Sequence, residues 1–388
     1  DFWILQINGL KKGDKYKYII ETWDDNKLIK ADPYALYSEL RPNTASIVWD
    51  LDNYLWKDQK WKDHIKNYSP YKKPLNIYEV HLGSWKKPQG RENFQTYREL
   101  AEELPKYVSE MGYTHVELMP ISEYPLDDSW GYQGTGYFSV TSRHGIPEDF
   151  KYLVDQLHKY GIGVILDWVP GHFCKDAHGL YRFDGTTTYE YPNPALGENK
   201  QWGTCNFNLS KLEIHSFLIS NAIFWMKEYH IDGLRVDAVS NMLYLDFCKE
   251  PSSELKNKDG GNQNLWAIDF MQKLNTEIFK EFPNALMIAE ESTSRPNITK
   301  GKKENGLGFN YKWNMGWMND ILQYMELDPI NRKFNHNLIT FSLVYAFSEN
   351  YILPFSHDEV VHGKKSLINK FPGNNMDKFA SLRLLLGY

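Results

Sequence analysis

The sequence predicts an α/β protein, a TIM-type (β/α)8 barrel preceded by part of an all-β sandwich. Two observations support this prediction. From Leu75 onward, short apolar runs typical of strands alternate with longer runs typical of helices, as in parallel β/α folds. Four of the apolar runs end in acidic, histidine or arginine residues. A buried strand seldom ends in such charges unless they have a partner or a task, and parallel barrels place their active sites at these strand ends.

The predicted all-β segment spans residues 1–70. Strand-like runs lie at residues 4–7 and 16–22, with turn signals between them at Asn8-Gly9 and Lys12-Gly13-Asp14. The segment is too short for a complete sandwich. The proline-bounded residues 70–74 are the predicted linker to the barrel domain, which is expected to span residues 75–388.

Seven strands are predicted in the barrel domain, one short of the eight that close such a barrel. One of the helix-like segments between them carries Pro105 as a predicted kink, and another opens on a capping-box pattern of Ser210 and Glu213. The chain stops at Tyr388 inside an apparent helix, so the barrel is expected to be truncated before its last strand. The predicted strands are residues 77–81, 115–119, 164–169, 234–239, 286–289, 309–313 and 352–355, and the predicted helices are 93–111, 148–160, 210–229 and 263–282.

Two irregular stretches interrupt the barrel pattern. Residues 173–209 are rich in glycine, proline, asparagine and tyrosine, and are predicted as a long loop insertion. Loops of this length often shape a substrate site. Residues 251–262 are polar and charged, and are predicted as a solvated insertion.

Composition narrows the possible partners and compartment. The chain has 388 residues and a net charge of −6, so no basic field favours nucleic acid. No apolar run is long enough to span a bilayer, and no lysine or arginine cluster suggests a membrane surface. The three cysteines are odd in number and lack a C-x-x-C pair, which is typical of reduced thiols in the cytoplasm. We therefore expect a cytoplasmic protein with no nucleic-acid or membrane partner.

The segment GLRVDAV places Arg235 and Asp237 on one face of a strand, because side chains alternate across a strand. The apolar face can pack against helices, which leaves the charged face for the barrel mouth. An arginine beside an aspartate favours the ionised carboxylate that a nucleophile needs. A buried ion pair that only fills the barrel explains this pair alone equally well.

Further acids follow two later strands. Glu290 and Glu291 end the run LMIAEES, and strand alternation alone does not decide which of them faces the site. Asp358 follows His357 in FSHDEVVHG. His357 and His362 are five residues apart rather than the four of H-E-x-x-H, so a zinc-protease site is poorly supported.

Asp167 and His172 bracket a further strand end, in DWVPGH. A single histidine of this kind is more often a satisfied structural residue than a ligand. Four charged strand ends shift that balance towards sugar binding. The rings of the 13 tryptophans and 26 tyrosines can stack on sugar faces, although composition alone favours a large core as their explanation. Several carboxylates without a nucleotide or dinucleotide motif indicate glycosyl transfer without a cofactor. Two carboxyl groups about 5–5.5 Å apart would indicate a retaining double displacement.

These motifs resemble those of the α-amylase superfamily, glycoside hydrolase family thirteen, and within it the 1,4-α-glucan (glycogen) branching enzymes. The resemblance covers nearly the whole chain. Residues 30–35, KADPYA, resemble the end of the β-sandwich carbohydrate-binding module that precedes such barrels. The barrel segments that carry the resemblance are HVELMP, SWGYQGTGYF, DWVPGHF, RVDAVSNMLY, IAEEST and SHDEVVHGKKS.

The resemblance implies three catalytic residues. Asp237 would be the nucleophile, Glu290 the acid/base and Asp358 the residue that stabilises the transition state. Residues that would hold the glucose in the cleavage subsite are Tyr132, Asp167, His172, Arg235 and His357, with Trp130 and Gln133 as weaker neighbours.

The resemblance also implies the absence of a structural metal. α-Amylases commonly carry an asparagine before the first-motif histidine, where it helps to bind calcium, whereas this chain has Gly171. We therefore expect no calcium and no other cofactor. A monomer that uses α-1,4-glucan, or glycogen, as both donor and acceptor is expected.

The implied reaction cleaves an α-1,4-glucosidic bond and transfers the chain to a 6-hydroxyl, which creates an α-1,6 branch. Hydrolysis differs only in its acceptor, so an α-amylase, a debranching enzyme or a trehalose-releasing relative is the first alternative. A glucan-binding protein without catalytic activity is the second, and the presence of all three carboxylates argues against it.

Overall fold

The structure is a computed structural model that describes residues 5–67, 69–88, 90, 94–250, 252–361 and 363–388. The chain divides into two compact units, Asp1–Leu286 and Met287–Tyr388. Within the described residues, no helix combines the length and apolar character needed to cross a bilayer. The three cysteines form no disulfide, and two of them, Cys174 and Cys205, are buried.

Short antiparallel strands open the first unit. Three of them form one sheet in the order β1-β5-β4, and β2 pairs with β3 in a separate hairpin. The predicted strand at residues 4–7 is absent from its described part, residues 5–7, while residue 4 lies outside the described residues. Membership of a carbohydrate-binding sandwich stays a prediction. The strands are β1 (Lys15–Tyr16), β2 (Tyr18–Glu21), β3 (Lys27–Lys30), β4 (Tyr37–Ser38) and β5 (Ser46–Ile47).

The prediction that residues 1–70 are all-β is wrong at the end of this segment. Helix α1 spans Gln59–Lys66 and buries Trp61 while most of its other side chains remain exposed. A single buried ring in an eight-residue polar helix leaves almost no apolar periodicity. The sequence pattern therefore carries little sign of this helix.

Four parallel strands form the core of the first unit. They lie in the order β6-β7-β10-β14, and three of them are buried along their whole length. Continuous burial is expected for parallel strands that are covered on both faces. The four predictions are confirmed apart from their ends, since the strand predicted to reach residue 239 ends at Val236. The strands are β6 (Ile77–Val80), β7 (His115–Leu118), β10 (Gly163–Trp168) and β14 (Gly233–Val236).

Helices connect these strands in the predicted alternation. In α3, Thr96 and Glu99 form a reciprocal capping box, and Pro105 lies inside the helix. In α4, Pro147 occupies the first turn, where its missing N–H has no intrahelical partner to lose. Residue 93, where the first of these helices was predicted to begin, lies outside the described residues. The helices are α2 (Leu82–Trp85), α3 (Tyr97–Glu110), α4 (Pro147–Lys159), α6 (Leu212–Glu228) and α8 (Leu265–Glu281).

The capping box predicted for Ser210 and Glu213 is wrong. Helix α6 begins at Leu212, and its N-cap residue Lys211 makes no side-chain cap. The Ser210 hydroxyl instead lies 2.6 Å from Asn208 Oδ1. A serine that hydrogen-bonds within its own turn is not available to cap the helix that follows.

The insertion at residues 173–209 has more structure than the predicted loop. Strands β11 (His172–Phe173), β12 (Glu198–Asn199) and β13 (Thr204–Asn206) form an antiparallel sheet in the order β11-β13-β12. We call these three strands and the turns between them the insertion sheet. Helix α5 (Pro194–Gly197) precedes β12. A further antiparallel pair, β8 (Ser122–Glu123) and β9 (Gly136–Val140), follows β7.

The second predicted insertion, residues 251–262, also contains regular structure and a buried side chain. In residues 252–262, a short 3-10 helix spans Ser253–Leu255, and Leu255 is buried. The prediction of a fully solvated segment is therefore wrong at that position. Before it, helix α7 (Val239–Leu243) follows β14 after only two residues.

The second unit contains three parallel strands with helices packed around an apolar core. The strands are β15 (Leu286–Ala289), β16 (Tyr311–Trp313) and β17 (Tyr351–Ile352), in the order β15-β16-β17. All three were predicted, although β17 ends before the predicted residue 355. Helix α9 (Met315–Glu326) supplies most of the core, through Trp317, Met318, Ile321, Leu322 and Met325. The other helices are α10 (Pro329–Arg332), α11 (Asn337–Thr340), α12 (Leu367–Lys370) and α13 (Asn375–Gly387).

A buried charged cluster ties the end of the N-terminal segment to the parallel strands of the first unit. His158 of α4 lies between two carboxylates, with Nδ1 3.2 Å from Asp58 and Nε2 3.0 Å from Asp232. The Trp61 ring stacks on His158, and its Nε1 donates to Asp232 at 2.8 Å. Burial lowers the pKa of His158, but the Asp232 and Asp58 carboxylates outweigh it and raise the pKa to about 9.

This cluster predicts a loss of stability at alkaline pH. Since the folded pKa of His158 is about 9 and its ordinary value is 6.5, its contribution is complete below pH 6.5 and is lost as the pH rises through 9. A pKa shift of one unit corresponds to about 1.4 kcal/mol, so His158 contributes a few kcal/mol to the free energy of unfolding. Urea unfolding of wild type and His158→Gln at pH 6, 7.5 and 9 should show stabilities that converge as the pH rises. A constant difference between the two proteins would contradict the prediction.

Candidate active site

The pairing of two parallel strands brings Asp167 and Arg235 together. Asp167 of β10 lies directly opposite Arg235 of β14 in the strand register. Arg235 Nη1 donates to Asp167 Oδ1 at 2.6 Å, and both side chains are 0% exposed. Each residue is the second to last of its strand, so the pair lies near the carboxyl ends, where parallel β/α folds bind their ligands.

Asp237 lies one residue beyond β14 and shares the same guanidinium. Its backbone N–H donates to the Trp168 carbonyl at 2.9 Å, which continues the ladder between the two strands. Arg235 Nη1 also donates to Asp237 Oδ1 at 2.9 Å. The next residue, Ala238, has a φ of 48° in the left-handed region, and α7 begins directly after it. Such a conformation is uncommon for a residue with a side chain and is often found at active sites.

Tyr132 and His172 complete the group around these carboxylates. The Tyr132 hydroxyl donates to Asp167 Oδ2 at 2.5 Å. His172 of β11 places Nε2 3.6 Å from Asp237 Oδ2. Five of the predicted site residues in the first unit therefore lie together.

The other two predicted residues of the first unit lie near this group along the chain. Gln133 Nε2 donates to the carbonyl oxygen of Trp202 at 3.3 Å, in the insertion sheet. Trp130 has a φ of 51° and ends the 3-10 helix Asp127–Ser129, two residues before Tyr132. Gln133 therefore lies beside the turn that carries Trp202.

The environments of the two aspartates differ. Asp167 is enclosed, with one oxygen held by Arg235 and the other by Tyr132. Burial raises the pKa of Asp167, Arg235 opposes that shift, and Asp237 adds to it. Burial likewise raises the pKa of Tyr132 well above its ordinary value, so its hydroxyl stays protonated and donates to Asp167. The Asp237 side chain is 11% exposed, so Asp237 is the less enclosed carboxylate of this pair.

The two glutamates of the second unit are clearly distinguished. Glu291 is fully buried, with Oε2 2.6 Å from Lys312 Nζ. Its other oxygen accepts from the backbone N–H of Thr293 at 3.0 Å and from the Thr293 hydroxyl at 2.5 Å. Glu290, which directly follows β15, is half-buried. Glu291 therefore has a structural ion pair, and Glu290 is the more accessible of the two.

His357 and Asp358 follow β17 and contact each other. His357 Nε2 lies 3.3 Å from Asp358 Oδ1, and the Asp358 side chain is 55% exposed. His362, the second histidine of this segment, lies outside the described residues. The described part of the chain contains no group of three or more histidine, cysteine or acidic side chains that could hold a metal ion.

Gly171 is the position where an asparagine would be expected if calcium were bound. A Cβ atom placed on Gly171 would lie 3.2 Å from Met242 Cγ. A larger residue here would require Met242 to move, so the local packing suits glycine. The absence of calcium stays a prediction.

The sequence did not single out the residues of the insertion sheet that border the site. The Trp202 ring packs on the His172 ring with 4.9 Å between their centroids. Asn199 and Asn241 link this sheet to α7 through a side-chain hydrogen bond of 3.3 Å. Tryptophan and asparagine are common in loops, so only the three-dimensional contacts reveal their position.

Comparisons with known proteins place the chain in a family. Residues 50–191, which include Tyr132, Asp167 and His172, match the family described as alpha amylase, catalytic domain. Over its whole length the chain is 59% identical to a 1,4-alpha-glucan branching enzyme GlgB of Bacillus caldolyticus and 60% identical to that of Halothermothrix orenii. The chain belongs to the alpha-amylase family. The resemblance inferred from the motifs is thus confirmed.

The family relatives are longer than this chain. It spans 56% of the Bacillus caldolyticus protein and 61% of the Halothermothrix orenii protein. A crystal structure of a Salmonella typhimurium protein assigned as an alpha amylase aligns with 87% of the chain and 52% of its own length, with a TM-score of 0.61 and 22% sequence identity. At this identity the likeness concerns the fold, and it agrees with the predicted β/α organisation.

Proposed function

We propose that this chain is the catalytic part of a 1,4-α-glucan branching enzyme. The observation that carries the proposal is the pair of carboxylates bridged by Arg235, in a chain 59% identical to an enzyme of that name. One carboxylate is enclosed and the other can be reached from solvent. This asymmetry is what a covalent nucleophile and its supporting residue require.

The proposed first step uses Asp237 as the nucleophile. Its carboxylate attacks the anomeric carbon of an α-1,4-linked glucosyl unit, the bond to the departing 4-oxygen breaks, and Glu290 gives its proton to that oxygen. A covalent glucosyl-enzyme of inverted configuration results. The contact of Arg235 with Asp237, at 2.9 Å, supports this role because it holds the carboxylate in place.

In the proposed second step, Glu290 takes the proton from the 6-hydroxyl of a second glucan chain. The 6-oxygen attacks the anomeric carbon, the bond to Asp237 breaks, and an α-1,6 branch forms with overall retention. The ion pair of Glu291 with Lys312 supports the choice of Glu290, because a buried glutamate held by a lysine is poorly suited to exchanging protons.

The remaining predicted residues have binding roles in this proposal. Asp358 stabilises the positive charge that develops on the sugar ring, and its exposure of 55% leaves it accessible to a substrate. The hydroxyls of the glucosyl unit are bound by Tyr132, Asp167, His172, Arg235 and His357, with Trp130 and Gln133 at the border.

The proposal extends to organisation and partners. Residues 1–70 are proposed as a segment resembling a carbohydrate-binding module, and residues 75–388 as the catalytic barrel with the insertion 173–209. The proposed partner is α-1,4-glucan, or glycogen, as both donor and acceptor, and the protein is proposed to be a cytoplasmic monomer. The free thiols of all three cysteines support a reducing compartment.

Incubation of the full-length protein with amylose tests the branching activity. We expect new α-1,6 linkages, detected by proton NMR and by the shorter chains that a debranching enzyme then releases. The first alternative, a hydrolase, would raise the number of reducing ends without forming α-1,6 bonds. That result would replace the branching proposal with hydrolysis.

A comparison of the two glutamates tests the acid/base assignment. Glu290→Gln should cleave amylose on the order of 10²–10⁴-fold more slowly, because the departing oxygen then receives no proton. The same variant should still release fluoride from α-maltosyl fluoride, whose leaving group needs little protonation. Glu291→Gln is the matched control and should mainly lower Tm, because it weakens the buried contact with Lys312. Loss of fluoride release in Glu290→Gln together with an unchanged Tm would contradict the assignment.

A further inference from the structure

A chain of side-chain amides crosses the insertion sheet. The Trp202 backbone N–H donates to Asn199 Oδ1, and Asn199 Nδ2 donates to Asn241 Oδ1, both at 3.3 Å. Asn241 Nδ2 then donates to Asn206 Oδ1 at 3.3 Å, and Asn206 Nδ2 donates to the Leu196 carbonyl at 2.9 Å. Each asparagine uses its carbonyl oxygen in one bond and its amino group in the next. We call this series the amide chain.

The amide chain connects α7 with the turn that carries Trp202 and with the strand beside His172. Asn241 is four residues beyond Asp237, and Asn199 and Asn241 are 7% and 8% exposed. Asn206 of β13 lies opposite His172 of β11 in the antiparallel register. Asn241 therefore joins the segment that follows Asp237 to both segments that hold the His172 ring.

The His172 ring depends on these contacts because little else orients it. Its Nδ1 is buried and has no hydrogen-bond partner among the described residues. Its Nε2 is 3.6 Å from Asp237 Oδ2, which is longer than a hydrogen bond. The ring is constrained by its packing on Trp202 and by the backbone of β11, where the Tyr137 hydroxyl donates to the His172 carbonyl at 2.9 Å.

We propose that Asn241 is a positioning residue that, through the amide chain, holds His172 and Trp202 against Asp237. The inference rests on the proposed function, because it assigns Asn241 a part in the step that Asp237 performs. Asn241 touches neither carboxylate in the contacts described, so it acts through other residues. A displacement of about 1 Å at a reacting centre can cost a factor of about 10² in rate.

The test is the first step alone, measured as fluoride release from α-maltosyl fluoride by the full-length protein. Asn241→Ala should lower kcat by about 10- to 100-fold and leave KM within about threefold, because positioning affects the reaction more than binding. Asn241→Asp should lose at least as much, since it keeps the oxygen that accepts from Asn199 but turns a second carboxylate oxygen towards the acceptor Asn206 Oδ1 at a buried position.

A matched asparagine in another loop separates positioning from stability. Asn257 holds a turn by accepting from the backbone N–H groups of Asp259 at 2.9 Å and Gly261 at 3.0 Å, and none of these residues belongs to the amide chain. Asn257→Ala should lower Tm by an amount similar to Asn241→Ala, with kcat unchanged. An equal loss of kcat in both variants would make the effect of Asn241 one of stability and would overturn the inference.

A double-mutant cycle of Asn241→Ala with Trp202→Ala examines the route of the effect. If Asn241 acts by holding Trp202 and His172, the double variant should be about as slow as the slower single variant, because neighbouring residues that act together are not additive. Additive losses would overturn the inference, as would a wild-type kcat in Asn241→Ala.

Two measurements on the wild-type protein, fluoride release and α-1,6 bond formation, distinguish failure of this inference from failure of the proposed function. A wild-type protein that releases fluoride but forms no α-1,6 bonds would remove the branching proposal. The dependence of fluoride release on Asn241 would still stand in that case, since that step precedes the choice of acceptor. A wild-type protein that does not release fluoride would overturn both.

Discussion

Asp237→Asn is expected to slow α-1,4 bond cleavage on the order of 10⁴-fold and to leave the fold and glucan binding intact. An amide has almost the size of a carboxylate but is not an effective nucleophile, and single losses of a covalent nucleophile have effects of this order. In the wild type, Arg235 Nη1 donates to Asp237 Oδ1 at 2.9 Å. The amide oxygen of the variant can take the place of Oδ1 and accept the same hydrogen bond. Cleavage of amylose and Tm should be measured in parallel.

A control variant and rescue by an added nucleophile test whether the loss of activity is specific to Asp237. Asp246→Asn is a matched change in the same unit, at an aspartate that accepts from Asn262 at 3.0 Å, and it should keep wild-type activity. Added azide can replace the missing carboxylate of Asp237→Asn, displace fluoride from α-maltosyl fluoride and yield β-maltosyl azide. A variant with the wild-type rate would show that Asp237 is not the nucleophile. Equal, low activity in wild type and variant would favour the glucan-binding alternative.

Arg235→Met is expected to destabilise the protein by about 3–5 kcal/mol, because the change leaves a buried carboxylate without its partner. Asp167 is 0% exposed and receives its shortest charged contact, 2.6 Å, from Arg235. Arg235 lowers the pKa of Asp167 against the effect of burial, so its removal raises that pKa further. A carboxyl group whose pKa is raised in the fold destabilises the fold as the pH rises above its ordinary value of 3.8.

The loss in Arg235→Met should therefore be larger at pH 7.5 than at pH 5, as measured by denaturant unfolding. Arg98→Met serves as a control, since Arg98 is 50% exposed and pairs with Asp149 at the surface. Surface pairs contribute about 0–1 kcal/mol, so this control should be nearly neutral. Equal stabilities of the two variants would show that the guanidinium does not balance the buried carboxylates.

The sequence predicted the order of strands well and their ends less well. The strand at residues 286–289 matches β15 at both ends, whereas the strand predicted to reach residue 239 ends at Val236. Apolar residues continue through Ala238 and Val239, so composition gives no sign of the left-handed turn at Ala238. The backbone conformation of Ala238 depends on its two neighbours, since Asp237 is paired with β10 and α7 begins at Val239.

Short elements escaped prediction for a related reason. The strands of the insertion sheet contain two or three residues, and β8 contains two. Such lengths are too short for a periodic pattern of apolar and polar residues. Helix α1, with Trp61 as its buried residue, lacks that pattern too.

By itself, the sequence determined the alternation of strands and helices and the set of polar residues at the strand ends. Both are local properties, since hydrophobic periodicity and strand alternation depend on neighbouring residues. Only the tertiary structure decided that Arg235 bridges Asp167 and Asp237, because the register of β10 against β14 places residues 68 positions apart in contact. The same holds for the burial of Glu291 against Lys312 and for the amide chain through Asn241. Such contacts form between segments that are distant along the chain, and the packing of whole elements sets their distances.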